Sequence, residues 1–243
     1  MTRTLDILDL LHNYYLNSKE IQLLNTYRGM PISYPAQVLS VSEENVLVGV
    51  HQHQAVCLEL QRSTFINLGF PLTIKASVSS GNVATKLFNL TNIHVAEQTI
   101  GKREVIRVNP KEPLPVVIST NGSRSNNIIA ELIDLSIIGI GVYGLSVSLT
   151  EIKKFQPGTN IKVRLLLPDK NQMEIATIEL TIDGKVVNVI PVPEEKRIRL
   201  GIKINPDLDT RGTIASYISQ RQVEIITELR LLHQTLIQLT TQN

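Results

Sequence analysis

Two short clusters in this 243-residue chain combine residue types that could grip a small charged ligand. The first is Gly101-Lys102-Arg103-Glu104-Val105-Ile106-Arg107, an Arg-x-x-x-Arg pair with a lysine beside it. The second is Ile133-Asp134-Leu135-Ser136-Ile137-Ile138-Gly139, an Asp-x-Ser-x-x-Gly run. Arginine presents a planar fork of donors that fits a phosphate or the O6/N7 edge of guanine, and it stacks on the guanine ring. Aspartate accepts from guanine N–H groups, a serine hydroxyl donates and accepts, and glycine permits close backbone approach. Taken singly, each cluster has a plainer reading: the arginines as solvated linker charge, the Asp and Ser as caps of a strand-to-turn corner. Taken together, they suit a ligand that is both anionic and guanine-bearing.

Other constellations point away from catalysis. Cys57 lies in the apolar run AVCLEL and reads as a buried core thiol. His51 and His53 stand two apart with no carboxylate or thiol at metal-ligand spacing, which reads as a polar strand end and not as a zinc site. The Gly139-Ile-Gly141 pair lacks the third glycine and the strand-turn-helix context of a dinucleotide fingerprint. No Walker loop or nucleophile elbow occurs. The sequence therefore predicts no enzyme, no catalytic residue, no metal and no cofactor.

The elements that must position the two clusters are mostly strands. Isoleucine and valine supply 50 residues, mainly in short runs punctuated by Pro, Gly, Asn and Ser. Before them, Leu5, Leu8, Leu11, Tyr15, Leu23, Leu24 and Tyr27 follow helical spacing, broken near Asn17 and Ser18, which predicts a helical segment over 1–29. Strands are predicted over 32–41, 46–50, 55–60, 71–78, 83–90 and 93–97, close enough together for a small antiparallel barrel or sandwich. Residues 98–103 read as a polar hinge. A second β series follows over 105–108, 114–119, 128–135, 140–143, 161–167, 173–192 and 198–204. Asn205-Pro206 then ends the sheet, and Asp209 or Thr210 is expected to cap a last helix.

That helix carries a seam. Ile218, Gln222, Ile225, Leu229, Leu232, Leu236 and Leu239 alternate steps of four and three, the spacing of core positions in a coiled coil. Its first turns are expected to pack on the preceding barrel. Beyond Leu229 the seam needs the N-terminal helix or the same helix of a second copy, and Ile225, Leu229, Leu232 and Leu236 are the expected contacts of a homo-oligomer.

Composition bounds the partners. A formal charge of +2, with 24 basic and 22 acidic residues, argues against nucleic acid as the main partner. Four phenylalanines, six tyrosines and no tryptophan make a poor base-stacking platform. The longest uncharged stretch, 135–150, is broken by glycines and serines and too short to span a bilayer. The opening MTRTLDILDLLHNYY carries Asp6 and Asp9 within its apolar pattern and does not read as a signal peptide. A cytoplasmic protein is expected.

The segment from Gly101 to Tyr217 resembles the PilZ domain family, a six-stranded antiparallel barrel that binds cyclic dimeric GMP. The paired motifs carry the resemblance, and the runs FQPGTNIKVRLLLP (155–168), GKVVNVI (184–190) and RLGIKI (199–204) resemble that domain's later strands. The resemblance implies that Arg103 and Arg107 clamp guanine and phosphate from the segment before the barrel. It implies that Asp134, Ser136 and Gly139 receive guanine on the barrel surface, with Lys102 adding charge. The stretch 30–97 is similar in arrangement to the companion barrel of flagellar-brake-like members. The domains expected are then 1–29 helical, 30–98 a barrel, 99–217 the PilZ-like barrel and 218–243 a helix. The function implied is a cyclic dimeric GMP receptor that changes domain arrangement and regulates motility, polysaccharide or biofilm output through a downstream protein. The rival is a structural adaptor that has lost nucleotide binding and works by helix-mediated oligomerisation.

Overall fold

Alternation of apolar and polar side chains places one face of each strand inward, and closing the sheet on itself removes its edges. A computed structural model describes residues 4–68, 73–96, 105–120, 127–144, 154–169, 176–192, 194 and 197–241. Among them the chain forms two closed antiparallel barrels of six strands each, with three helices. One compact unit takes in residues 1–104 and 224–243, and the other 105–223. Hinge residues 98–103 lie outside the described residues, as do Lys102 and Arg103. No helix among the described residues is long and apolar enough to cross a membrane.

The first unit begins with α1 (Thr4–Leu16), followed by β1 (Glu20–Tyr27), β2 (Met30–Val41), β3 (Val46–Val50), α2 (Gln52–Gln61), β4 (Ser63–Asn67), β5 (Thr73–Asn82) and β6 (Leu87–Val95). The barrel order is β1-β2-β3-β6-β5-β4. Ile21, Leu23, Val48, Ile66, Ile74, Phe88 and Leu90 fill it, together with Ile7 and Leu11 of α1.

Three expectations fail here. The helical reading of 1–29 holds only to Leu16, because Ile21, Leu23 and Asn25 turn inward at period two in a strand. The strand pairs with β2 around the tight turn at Arg28 (φ 50) and Gly29 (φ 79), the positive-φ pair a two-residue hairpin needs. The run at 55–60 is helical, not extended. Helix α2 is fully buried from Val56 to Leu58, and Gln54 donates to Asn25, which also accepts from Thr64 at 2.8 Å. His51 and His53 are the N-cap and first turn of that helix and not a strand end. Cys57 is a buried thiol, and burial pushes its pKa up to about 12.

The second unit contains β7 (Pro115–Thr120), β8 (Asn127–Ser136), β9 (Gly139–Gly144), β10 (Asn160–Asp169), β11 (Ala176–Val192) and β12 (Arg197–Ile204), closed in the order β10-β11-β12-β9-β8-β7. Of the run expected at 105–108, only Val108 pairs, as a single bridge to Leu135.

The last helix, α3 (Leu208–Thr241), is capped by neither Asp209 nor Thr210. The Asp207 carboxylate accepts from the Thr210 N–H at 2.8 Å, and that bond holds its pKa below the usual carboxylate range. The seam is present, and its buried part packs within the chain, whereas Leu239 is exposed. Ile218 is buried, Ile225 and Leu229 are fully buried, and Leu236 and Ile237 pack on the core of the first barrel. Ile225 and Leu229 therefore leave no surface to offer a second copy.

Candidate functional site

Asp134 owes its position to a one-residue irregularity. On β8, Leu132 faces Val142 of β9, but the next pair is Asp134 with Gly141, so Ile133 is an extra residue. Such a bulge shifts the alternation by one. Leu132 and Leu135 both point into the core, and Asp134 and Ser136 stand on the outer face instead of following Leu132 inward. The displaced Ile133 carbonyl accepts from the Asn109 side-chain amide at 2.6 Å.

That bond also anchors the segment carrying Arg107. Val108 and Leu135 exchange two backbone hydrogen bonds of 3.0 Å, and the Asn109 carbonyl accepts from Arg221 Nε of α3 at 2.9 Å. Val108 is buried, so its neighbour Arg107 faces outward, where its Nη1 donates to Asp134 Oδ1 at 3.1 Å. Arg199 of β12 places Nη2 3.7 Å from the other carboxylate oxygen. Asp134 is only 6% exposed yet lies between two guanidinium groups, whose side chains keep 33% and 42% of their surface. Arg107 Nε is buried and has no hydrogen-bond partner among the described residues.

Glycines form the floor. A Cβ on Gly141 would fall 2.8 Å from Asp134 Oδ2 and 2.9 Å from its Cγ, so the carboxylate lies where a side chain would stand. Gly141 pairs in turn with Gly201 of β12, leaving the sheet bare beside Asp134. Ser136 is completely buried, and its hydroxyl donates to the Gly139 carbonyl at 3.1 Å, closing the β8–β9 turn. A Cβ on Gly139 would sit 3.3 Å from the Ile202 carbonyl oxygen and 4.0 Å from Arg107 Nη2. The structure thus brings Arg107, Asp134, Ser136 and Gly139 together. In this arrangement Ser136 builds the turn, while Arg107 and Asp134 present the charge.

A family model of the PilZ domain matches residues 102–220, a span that takes in the bulge, the glycine floor and both arginines. The chain carries a PilZ domain. A curated relative, an uncharacterized protein of Aquifex aeolicus (strain VF5), is 28% identical over 145 residues, which is 57% of this chain and 58% of that protein. The match therefore spans less than two thirds of the relative's length. Among solved structures, similarity extends to the Bacillus subtilis inhibitor of motility MotI/DgrA, at 14% identity and TM-score 0.43, covering 84% of this chain and 96% of that one. It extends also to a K. pneumonia MrkH–c-di-GMP complex, at 14% identity and TM-score 0.44, covering 94% and 98%. Escherichia coli YcgR in complex with c-di-GMP gives 12% identity and TM-score 0.39, covering 95% and 96%.

Sequence reasoning missed four contributors to this cluster. Arg199 stood in plain view in RLGIKI, but only the β12–β9–β8 order brings it to Asp134. Gly141 was visible as half of a Gly-x-Gly pair that fits no dinucleotide fingerprint. Asn109 and Arg221 act through contacts distant in sequence that no local pattern signals. Among the described residues no cluster of three or more His, Cys, Asp or Glu could hold a metal ion.

Proposed function

We propose that this protein is a receptor for cyclic dimeric GMP, and that it transmits the ligand's level through protein contacts and not through catalysis. The observation that carries the reading is the Arg107–Asp134 pair on the outer face of a PilZ barrel, beside a floor of glycines. Asp134 offers acceptor oxygens of the kind guanine's N1–H and N2–H require. Arg107 supplies a fork suited to the guanine Hoogsteen edge or a phosphate. With ligand absent the two satisfy each other. Binding exchanges that internal bond for bonds to the nucleotide, and Arg199 remains to compensate the Asp134 charge.

In this reading Lys102, Arg103 and Arg107 together answer the two phosphates of the ligand, and Ser136 and Gly139 fix the turn against which guanine rests. Ligand binding changes the domain arrangement and with it the surface offered to a downstream protein in motility, polysaccharide or biofilm control. Calorimetric titration with cyclic dimeric GMP tests the proposal. Binding is expected in the wild type, lost in Arg107→Ala and sharply weakened in Asp134→Ala. Absence of heat with folded wild-type protein at two temperatures would overturn it.

A further inference from the structure

The histidine cluster of the first unit belongs to no part of the nucleotide site. His51 caps α2 with its ring: Nδ1 accepts from the His53 backbone N–H at 3.2 Å. An imidazole that accepts at Nδ1 carries its proton on Nε2, so a second proton removes the lone pair that makes the cap. The same ring stacks on Tyr34 with centroids 4.0 Å apart and planes 12° from parallel. His53 stands edge-on to both, 5.6 Å from Tyr34 and 4.8 Å from His51, with Nδ1 3.0 Å from the Tyr34 hydroxyl. His53 is 5% exposed, and its Nε2 has the Gln52 side-chain nitrogen at 3.4 Å.

Helix α3 brings a third imidazole. His233 Nε2 is buried without a hydrogen-bond partner among the described residues, one turn before Leu236 and Ile237 seat on the first-barrel core. The charged groups acting on His51 are Lys86, in the β5–β6 turn, and His233; those acting on His53 are His51, Arg230 and His233. All carry the same sign when charged. Glu228 of α3 is engaged by Arg28 at 3.6 Å. Burial first, and these cations second, hold both His51 and His53 below the ordinary histidine range.

We propose that His51 and His53 form a pH-operated latch, which holds the start of α2 and, through the His233 turn beside them, the C-terminal part of α3 on the first barrel while these two rings are neutral and releases them on protonation. The sign follows from linkage. The latched state binds fewer protons than the released one, whose histidines titrate near pH 6.5, so latching is complete above about pH 6.5 and is lost as pH falls below it. Each ring that is neutral when latched and charged when released weakens latching by up to about tenfold per pH unit in that window.

Hydrogen exchange of the full chain at pH 7.5 and pH 5.5, expressed as protection relative to the intrinsic rate at each pH, tests the latch. Amides of 53–58 and 229–237 are expected to lose at least about tenfold protection at pH 5.5, while strands β10 and β11 of the second barrel keep theirs. His51→Asn/His53→Gln, in which asparagine preserves the cap but cannot titrate, is expected to blunt the loss. Should the double variant fail to fold, His51→Asn alone is expected to reduce it. Unchanged protection in the wild type, an equal loss in the second barrel, or an equal loss in the variant that folds would each overturn the proposal.

Discussion

Gly141→Ala isolates the geometry of the proposed nucleotide site with one methyl group. The added Cβ would lie 2.8 Å from Asp134 Oδ2 and 2.9 Å from Cγ, well inside the 3.4 Å at which ordinary contact begins. The obstacle is the carboxylate itself, held on its other side by Arg107 at 3.1 Å, so relief requires Asp134 to swing away and give up that bond. Overpacking of this kind costs about 1–3 kcal/mol. The charge-assisted bond adds toward the upper end of that range, discounted because Arg107 is one-third exposed. Urea unfolding followed by circular dichroism is the assay, run as a cycle with Asp134→Ala. The alanine at 141 is expected to destabilise the wild type by about 1–3 kcal/mol and the Asp134→Ala background by less than about 0.5 kcal/mol, because the clashing atoms are gone. The single substitution should also weaken cyclic dimeric GMP binding by at least about tenfold. Equal destabilisation in both backgrounds would refute the claim that Gly141 exists to seat Asp134.

Two further outcomes follow from named contacts. Arg199→Ala is expected to lower nucleotide affinity several-fold, Arg199→Lys to restore part of it, and neither to matter once Asp134 is asparagine; calorimetry on the six proteins checks this. Cys57, buried and with its thiol pushed up to about 12, should resist a thiol reagent at pH 8 in the native protein and react at full rate in denaturant, as a spectrophotometric thiol assay would register.

What was legible in the sequence follows from which forces are local. The residues 134, 136 and 139 could be read because a strand-to-turn corner writes its needs within six positions, and the strands of the second barrel announced themselves by β-branched runs. The bulge at Ile133 is set by pairing with β9, so nothing local shows that Asp134 faces outward. Arg199 reaches the site across two strand junctions, a placement set by closure of the barrel. The segment 55–60 was misread because a short apolar run fits a strand or a buried helix equally, and the Gln54–Asn25 contact that ties the helix down spans 29 residues. The helical reading of 20–27 arose because Leu23, Leu24 and Tyr27 fit a helical step while the inward alternation runs through a polar residue, Asn25. The α3 seam was correctly seen as apolar, but its partner was legible only in part. The first-barrel core is built by strands far away in sequence, and α3 docks on it through Leu236 and Ile237.

The proposed site places cyclic dimeric GMP on the Asp134 face of the second barrel. Titration of the ¹⁵N-labelled full chain with the nucleotide, followed by amide shift changes, tests ligand and location at once. Saturable changes are expected, concentrated at Arg107–Asn109, Asp134–Gly141 and Arg199–Gly201. Absence of changes at saturating nucleotide, or changes confined to the first barrel, would contradict it.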